Sequence, residues 1–298
     1  MLAGGRSSDP RAMALSFDVF QVAPKPIPSQ VPGYEEAVGT ATWPPSTSTY
    51  IWNDTGGLLV DALITLEEGE RLATWIGDHN APLTTAYITH PHADHFFGLP
   101  PVRAAFPEVR VVALADAIPG IQGQASPAAM EVWGTFFPGQ ITTEPVLPEA
   151  LNGDTIAIGD DLARLVPVGA TDTDNSSVVN LAELGLVVAG DVAYNRVHQW
   201  LAGSTPESRA SWMAALDTVE TLRSTTLIAG HRHPDAPDDD AQRQIDESRE
   251  YLAVFEAALG HSATPHDLIA EMSEKYPDHG NPYTLWVGAF DLLGTASA

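Results

Sequence analysis

In the first half of the chain, apolar and polar positions form short alternating or clustered segments of the kind that predict β-strands. Such segments lie at residues 15–22, 47–54, 56–63, 83–89 and 109–115. Two segments between them have a helical period. One covers 65–80 and begins with Thr65 and Glu68 in a capping-box pattern; the other is a turn and helix at 92–107. The first half is therefore predicted to alternate strands with helices.

The second half repeats this order of strands followed by helices. Strand patterns lie at 154–161, 162–169, 176–183, 184–192 and 225–230, and helical patterns at 206–222, 237–260, 264–275 and 282–293. Residues 116–150, between the halves, are rich in Pro, Gly and aromatic residues. This stretch fits either an irregular cap that carries an apolar pocket wall or a helix and loops packed on the core.

Two halves of this kind predict an α/β fold in which two mixed sheets pack face to face with helices outside. No linker separates the halves, so residues 15–298 are expected to form a single domain with a helical C-terminal segment. Residues 1–14 are expected to be a disordered or artificially added leader, because Met13 offers a second start.

The composition limits where in the cell the protein is expected and which classes of molecule it is expected to bind. No apolar run approaches eighteen residues and no secretory signal is recognisable, so we expect neither a membrane span nor export. The absence of cysteine excludes disulfides and thiolate metal sites and favours the cytoplasm. A net charge of −25 disfavours nucleic acid and membrane partners. A small-molecule substrate remains, and association into a homo-oligomer stays open.

The stretch "ITHPHADH" contains three histidines and one aspartate, all capable of binding a metal, directly after an apolar strand. His90, His92 and Asp94 share one face if the chain is extended there, and Pro91 keeps His90 out of the helical region. His95 follows at the turn into the helix. Four nitrogen and oxygen ligands at one strand end predict a zinc site, with manganese, iron or cobalt as competitors.

Two later stretches repeat the pattern of a strand end followed by a metal-ligating residue. Asp191 follows "LVVAG" and His231 follows "TLIAG". Either one alone is common turn chemistry. Together with residues 90–95 they are expected to converge, because adjacent strands of one sheet end near each other.

The order H-x-H-x-D-H, G-x-T, G-D and G-H resembles the metallo-β-lactamase-fold hydrolases, from about residue 45 to 235. The resemblance implies a four-layer αβ/βα sandwich of two mixed β-sheets, with two zinc ions at one edge. It also implies these metal ligands: His90 and His92 for the first metal, Asp94, His95 and His231 for the second, and Asp191 bridging both.

Ala170 departs from the family pattern, which places a first-metal histidine in this stretch, "GATDTDNSS". A methyl group cannot coordinate a metal. Three explanations stay open, in this order: a deliberate substitution that traps a substrate complex, a natural variant with a weakened first metal, or replacement of the ligand by Asp172 or His198. The first site is accordingly expected to be weakened.

The resemblance predicts hydrolysis of a carbonyl compound. Two metal ions about 3.5–4 Å apart can share a water and lower its pKa towards roughly 7, which supplies hydroxide. Asp94 would orient this hydroxide and later take its proton. The lack of cysteine and of a G-x-S-x-G motif agrees with a reaction that needs no covalent enzyme intermediate.

Candidate substrate residues surround this set. Tyr194 lies three residues after Asp191, and in lactone-cleaving members a tyrosine at this offset can hydrogen-bond the developing oxyanion. A tyrosine that only packs, with a satisfied hydroxyl, is the alternative. The loop from Trp43 to Tyr50 and the stretch from Trp133 to Phe137 are candidate pocket walls. The remaining candidates are His198, Phe96 and Phe97. These mostly apolar walls favour an ester, lactone or amide-type carbonyl of a hydrophobic small molecule.

Besides a hydrolase, which Ala170 could leave with low activity, the sequence allows three alternative functions. A non-catalytic or substrate-trapping binding protein would keep only the second metal site, and Ala170 is its best argument. A mononuclear iron oxygenase of the same fold would need the very ligand that position 170 lacks. A nuclease is disfavoured by the acidic charge.

Overall fold

The computed structural model describes residues 14–294, so all but the last residue of the leader predicted at 1–14 lies outside the described part of the chain. The strands, in chain order, are β1 (Ser16–Gln21), β2 (Lys25–Pro26), β3 (Thr42–Trp43), β4 (Thr47–Trp52), β5 (Gly57–Val60), β6 (Thr85–Tyr87), β7 (Arg110–Leu114), β8 (Glu149–Leu151), β9 (Thr155–Ile158), β10 (Asp161–Gly169), β11 (Ser176–Leu181), β12 (Leu186–Gly190) and β13 (Thr226–Ala229).

The helices lie between and after the strands. In chain order they are α1 (Tyr34–Ala37), α2 (Leu66–Asp78), α3 (Leu99–Ala105), α4 (Ile118–Gln124), α5 (Pro127–Phe136), α6 (Pro206–Thr221), α7 (Ala241–Leu259), α8 (Pro265–Lys275) and α9 (Pro282–Leu293). Short 3₁₀ turns cover Ala93–His95, Ala115–Ala117 and Ala182–Leu184. Among the described residues, no helix is both long and apolar enough to cross a membrane.

The predicted fold class is confirmed: two mixed β-sheets form an αβ/βα sandwich. The first sheet has the order β1-β4-β5-β6-β7-β8, antiparallel as far as β5 and parallel from β5 to β8. The second has the order β13-β12-β11-β10-β9, antiparallel except for the parallel pair β12-β13. A small two-stranded antiparallel sheet of β2 and β3 accompanies them.

Alternating side chains along the strands build two cores. In β5, Leu58 and Val60 face the second sheet, where they pack with residues such as Val188 and Ile228. Leu59, between them, packs on the opposite side with helical residues such as Leu72. Because successive strand residues point to opposite faces, each sheet buries one face against its partner and the other against helices.

Local sequence explains where several helices begin. In α2 the Thr65 side chain accepts a hydrogen bond from the Glu68 backbone N–H, and the Glu68 carboxylate accepts one from the Thr65 backbone N–H, so the predicted capping box is present. The helix predicted at 237–260 begins later, at Ala241, because the Asp240 side chain caps it by accepting from the Arg243 N–H.

Some elements differ from the sequence prediction. The strand predicted at 56–63 ends at Val60, because Asp61 and Leu63 adopt left-handed backbone conformations with φ of 60° and 64°. Residues 116–150 contain two helices, α4 and α5, and end in an edge strand, β8, which extends the first sheet. The elements α1, β2 and β3 were not predicted; each spans four residues or fewer, too short for a periodic pattern.

Candidate metal centre

The ends of three buried strands bring the His/Asp residues together. His90 and His92 follow β6, and the 3₁₀ turn Ala93–His95 carries the next two candidates. Asp191 directly follows β12, and His231 lies two residues after β13. These strands belong to different sheets, and their carboxyl ends meet at one edge of the sandwich.

One group of ligand atoms comes from Asp94, His95 and His231, whose atoms lie within 4.8 Å of one another. The Nε2 atom of His231 is 3.3 Å from Asp94 Oδ2, and the Nε2 atom of His95 is 3.9 Å from Asp94 Oδ1. The three side chains are buried. This is the set that the resemblance assigned to the second metal.

Asp191 lies between this group and the next. Its Oδ1 atom is 3.4 Å from His95 Nε2, and its Oδ2 atom is 3.2 Å from His231 Nε2. Asp191 also belongs to a second group of ligand atoms within 4.8 Å of one another, together with His90, His92 and Asp172. Its two oxygens thus lie near ligand atoms of both groups.

Near Ala170, the structure brings the carboxylate of Asp172 into the cluster of His90, His92 and Asp191. Its Oδ2 atom lies 2.8 Å from His92 Nδ1 and 3.7 Å from His90 Nε2, and its side chain is fully buried. Of the two substitutes considered from the sequence, the structure brings Asp172 into the cluster. His198 lies elsewhere, with its Nδ1 atom 2.9 Å from the Tyr251 hydroxyl.

Several atoms of the cluster are buried without a hydrogen-bond partner in the described part of the chain. They are His90 Nε2, His95 Nε2, Asp172 Oδ2 and Asp191 Oδ1. Leaving one buried polar atom unpaired typically costs about 1–3 kcal/mol, and more for a charged group. Four such atoms aimed at one region fit a cation, because nitrogen and carboxylate oxygen are the donors that divalent transition metals prefer.

Hydrogen bonds on the far side of the rings fix which nitrogen each histidine presents. The Asp61 carboxylate accepts from His95 Nδ1 at 2.8 Å and also from the backbone N–H and hydroxyl of Thr89. The Thr89 hydroxyl in turn lies 2.9 Å from His90 Nδ1. His231 Nδ1 is 3.2 Å from the Pro45 carbonyl. In all three rings Nδ1 is engaged, which leaves Nε2 for the cluster.

Two backbone positions explain how the strand ends approach so closely. Gly190 has φ of 51°, and a Cβ there would lie 2.6 Å from Thr89 Oγ1. A Cβ on Gly230 would clash with the Asp191 carboxylate and would lie 3.0 Å from a ring carbon of His95. Glycine is therefore required at both positions if the ligand groups are to meet.

Carboxylates dominate the electrostatics around His231 and His95, whereas burial and the neighbouring His95 lower the pKa of His90 to about 4. Burial alone would lower the pKa of His231, but Asp191 and Asp94 raise it to about 10. Burial would also lower the pKa of His95, but Asp61 and Asp191 outweigh it, so this pKa lies well above its usual range. The pKa of Asp191 lies well below its usual range because His231 and His95 outweigh its burial. The part of the cluster around His95 and His231 therefore stabilises positive charge.

A cavity of about 140 Å³ lies directly against the cluster. His92, Asp94, Asp191 and His231 form one side of it. The remaining lining residues are Trp43, Pro44, Gln124, Trp133, Tyr194, Trp200 and Thr284. None of the described lysines or arginines lines it. The cavity thus joins a charged floor to walls that contain three indole rings.

The predicted substrate residues divide between the cavity and the core. Trp133 lines the cavity, and its Nε1–H donates to Gln124 Oε1 at 2.7 Å. Tyr194 also lines it, and its hydroxyl donates to Asp191 Oδ2 at 2.8 Å. Burial first, and then the charge of Asp191, hold the pKa of Tyr194 well above its usual range, so the hydroxyl keeps its proton.

The structure corrects the prediction for three other residues. Phe96 and Phe97 are fully buried in the hydrophobic core and do not line the cavity, because the turn after His95 directs both rings inward. His198 is also buried away from the cavity, against Tyr251. Burial and the neighbouring His279 lower the pKa of His198 to about 3, so it stays neutral.

Three residues of the site and its surroundings, Asp61, Trp200 and Thr284, are not among those predicted from the sequence. Asp61 follows the strand pattern "GLLV", and an acidic residue after a buried strand was a usable signal. Trp200 and Thr284 carried no such signal, since both lie far along the chain from the first ligand motif, one in a loop and one in the first turn of α9. Trp43 lies in a loop that the sequence predicts as a pocket wall, but its hydrogen bond to Asp94 is seen only in the structure.

An αβ/βα sandwich with a His/Asp cluster at its strand ends defines a metal-binding protein of a hydrolase fold. The sequence profile of the metallo-beta-lactamase superfamily matches residues 41–231, and the chain belongs to this superfamily, whose members are in general metal-dependent hydrolases. No curated protein sequence is significantly similar to the chain.

Solved structures share the fold at low sequence identity. A metallo-beta-lactamase family protein from Thermus thermophilus is 17% identical, with a TM-score of 0.60 over 92% of this chain and 91% of that one. A beta-lactamase domain protein from Burkholderia ambifaria is 16% identical, with a TM-score of 0.61 over 93% and 86%. The metallo-beta-lactamase FIM-1 from Pseudomonas aeruginosa, in its mono-zinc form, is 17% identical, with a TM-score of 0.53 over 80% and 91%. At these identities the likeness shows the fold alone.

Proposed function

We propose that this protein is a di-zinc hydrolase that cleaves an ester or lactone carbonyl of an uncharged, hydrophobic small molecule. One observation carries the proposal: the metal-ligand cluster forms the floor of a cavity whose walls contain three tryptophans. The cluster supplies the groups for a metal-dependent hydrolysis, and the walls supply a binding surface for an apolar acyl chain or ring.

Zinc is the proposed metal because the donor set consists of histidine nitrogens and carboxylate oxygens without thiolates. The fold of a β-lactamase solved in a mono-zinc form is similar, which supports the same choice. Manganese, iron and cobalt accept the same donors and remain competitors. When bound, the two metal ions supply water activated for attack at neutral pH.

Asp94 is proposed to act as the general base and then the general acid of this reaction. Its Oδ2 atom accepts a hydrogen bond from the Trp43 indole N–H at 3.1 Å, and the residue also lines the cavity. A carboxylate held in this way can accept a proton from the attacking water and pass it to the leaving oxygen. The indole fixes which oxygen of Asp94 remains available.

Tyr194 is proposed to stabilise the oxyanion that develops on the substrate carbonyl. Its hydroxyl is protonated and lies at the boundary between Asp191 and the cavity. A small rotation about its terminal bonds would redirect the donated proton from Asp191 to a substrate oxygen. Such a donor, aimed at developing negative charge, is commonly worth about 3–4 kcal/mol of the barrier.

The cavity walls favour a neutral substrate over an anionic one. Among the described residues, no basic side chain lines the cavity to pair with a substrate carboxylate. The rings of Trp43 and Trp133 meet edge to face with centroids 5.4 Å apart, and Trp200 lies 5.9 Å from Trp43. These rings offer flat apolar surface, which contributes about 25 cal/mol per Å² of apolar area that a ligand buries.

The test is a hydrolysis panel with zinc-loaded protein. Neutral aryl esters and alkyl-substituted lactones are expected to be cleaved with the highest kcat/KM. A β-lactam that carries a carboxylate and a glutathione thioester are expected to be cleaved at least tenfold less efficiently. Asp94→Asn should abolish turnover, and Asp174→Asn, at an exposed position outside the cluster, should leave it unchanged.

Two results would overturn the proposal. The first is a higher kcat/KM for a glutathione thioester or an anionic β-lactam than for every neutral ester and lactone. The second is the lack of any turnover in metal-loaded protein that still binds hydrophobic esters, which would favour a binding protein instead.

A further inference from the structure

The residues available to a first metal ion differ from the family pattern at position 170, where this chain has Ala170. We propose that Asp172 supplies the ligand that Ala170 cannot, so that the first metal ion is held by His90, His92, Asp172 and Asp191. This inference rests on the proposed function in one respect, namely that the cluster binds two metal ions. It assigns a metal-binding role to Asp172. The carboxylate of this residue, two positions after Ala170, would take the place of the family's histidine imidazole.

The backbone after β10 places the Asp172 carboxylate at the site where the family's histidine, at position 170, would bind the metal. The strand contains an irregularity between Pro167 and Gly169, and Gly169 has φ of 85°. The chain then forms a tight turn in which the Thr171 N–H donates to the Thr173 carbonyl at 2.9 Å. This turn carries the Asp172 carboxylate into the cluster, where it has no exposure to solvent.

The two oxygens of Asp172 have different surroundings. Oδ1 accepts a hydrogen bond from the Thr171 hydroxyl at 2.8 Å, and that hydroxyl is itself 2.7 Å from Ser176 Oγ. Oδ2 faces His92 Nδ1 and His90 Nε2 and has no hydrogen-bond partner among the residues described. The Thr171 hydroxyl therefore fixes the carboxylate so that one oxygen points at the histidines.

The distances fit ligands of one ion. Two ligand atoms about 2.0–2.1 Å from a tetrahedral metal lie roughly 3.3 Å apart. The observed separations of 2.8 Å from Asp172 Oδ2 to His92 Nδ1 and 3.7 Å to His90 Nε2 lie on either side of this value. The shorter separation, to His92, is also an ion-pair distance, so Oδ2 lies where the surroundings favour a positive charge.

The alternatives at this position are weaker. The methyl group of Ala170 has no donor atom. His198, the other candidate replacement, is buried against the hydroxyl of Tyr251 and belongs to none of the ligand groups among the described residues. A fully buried carboxylate is strongly disfavoured unless positive charge lies beside it, and Asp172 Oδ2 faces only the ring nitrogens of His92 and His90. Asp172 is therefore best explained as a metal ligand.

The experiment measures metal content and affinity without any substrate. Metal-free protein is loaded with Zn²⁺, freed of excess zinc, and assayed for zinc per chain by elemental analysis; a chelator competition gives the affinity. Wild-type protein is expected to hold two zinc ions. Asp172→Asn is expected to hold one, or to bind the first ion at least tenfold more weakly. Asp174→Asn, two residues along and exposed, is the matched control and should hold two.

A second variant keeps the test decisive if Asp172→Asn fails to fold, which circular dichroism would show. Ala170→His restores the family ligand while Asp172 stays in place. If Asp172 already completes the site, wild type and Ala170→His will both hold two zinc ions. One zinc ion in wild type and two in Ala170→His would overturn the inference, as would Asp172→Asn with two ions at wild-type affinity.

The outcome is separable from that of the hydrolysis panel. Two zinc ions that depend on Asp172, in protein that cleaves nothing in the panel, would uphold the inference and overturn the proposed function. Ester hydrolysis by an Asp172→Asn variant that binds both ions at wild-type affinity would do the reverse.

Discussion

The indole Nε1–H of Trp43 donates a hydrogen bond to Asp94 Oδ2 over 3.1 Å, and both groups are buried. This bond connects the apolar wall of the cavity to a carboxylate of the metal-ligand cluster. The same ring packs edge to face on Trp133 and Phe137. The position of Asp94 is therefore coupled to the packing of the wall that would hold the substrate.

Trp43→Phe is expected to lower kcat for a neutral ester by about 10–100-fold while the zinc content stays at the wild-type value. Phenylalanine keeps an aromatic ring but leaves Asp94 Oδ2 without its donor, and lost partners of ligating carboxylates typically have effects of this size. Steady-state kinetics and elemental analysis measure both quantities. Trp133→Phe is the control, since its indole donates to Gln124 instead. Equal losses of kcat in the two variants would contradict this prediction.

Phe97→Leu is expected to lower the free energy of unfolding by about 1–3 kcal/mol and to leave KM for hydrophobic esters unchanged. Phe97 is fully buried in the core and does not line the cavity. Urea unfolding curves and steady-state kinetics check the two parts. Trp133→Leu provides the comparison and should raise KM. A shift in KM for Phe97→Leu at unchanged stability would return Phe97 to the substrate pocket.

Gly230→Ala is expected to remove at least one metal ion and to reduce hydrolysis strongly, by roughly tenfold or more, as loss of a ligand's support does. The added Cβ would meet the Asp191 carboxylate and the backbone of Gly190, so the shared ligand must move. Metal content and kcat are the measurements. Gly77→Ala, at an exposed helical position with open space around it, should keep both and gain up to about 1 kcal/mol of stability. Two tightly bound ions in Gly230→Ala would refute the packing argument.

His198 is expected to make the fold sensitive to acid. Its pKa is about 3 in the folded protein, because burial and His279 disfavour the charged ring, against about 6.5 in the unfolded chain. Between these values the unfolded state binds a proton that the folded state does not. Stability should therefore be lost as pH falls below about 6.5, by up to about 1.4 kcal/mol per pH unit.

Urea unfolding at about pH 7 and about pH 5 measures this contribution. Over this interval, wild type should lose about 2 kcal/mol more than His198→Gln, which has no imidazole ring at position 198 to protonate. His261→Gln, at an exposed position, is the control and should behave as wild type. An identical pH dependence in His198→Gln and wild type would show that His198 is not held neutral by the fold.

The sequence by itself determined the layers and most of the residues of the His/Asp cluster. Strand and helix periods are local, and the capping box of Thr65 and Glu68 is read from four residues, so the alternating elements of both halves could be placed without coordinates. The density of His90, His92, Asp94 and His95 after a buried strand was sufficient to predict a metal cluster there.

Tertiary structure decided what depends on the direction of a side chain from a loop or turn. Phe96 and Phe97 follow the ligand motif, and only the geometry of the turn sends them into the core and not to the substrate. Asp172 and His198 were equal substitutes for the missing histidine in sequence, yet only the turn after Gly169 brings one of them, Asp172, to the cluster. Such turns are set by packing between distant strands, which no local periodicity encodes.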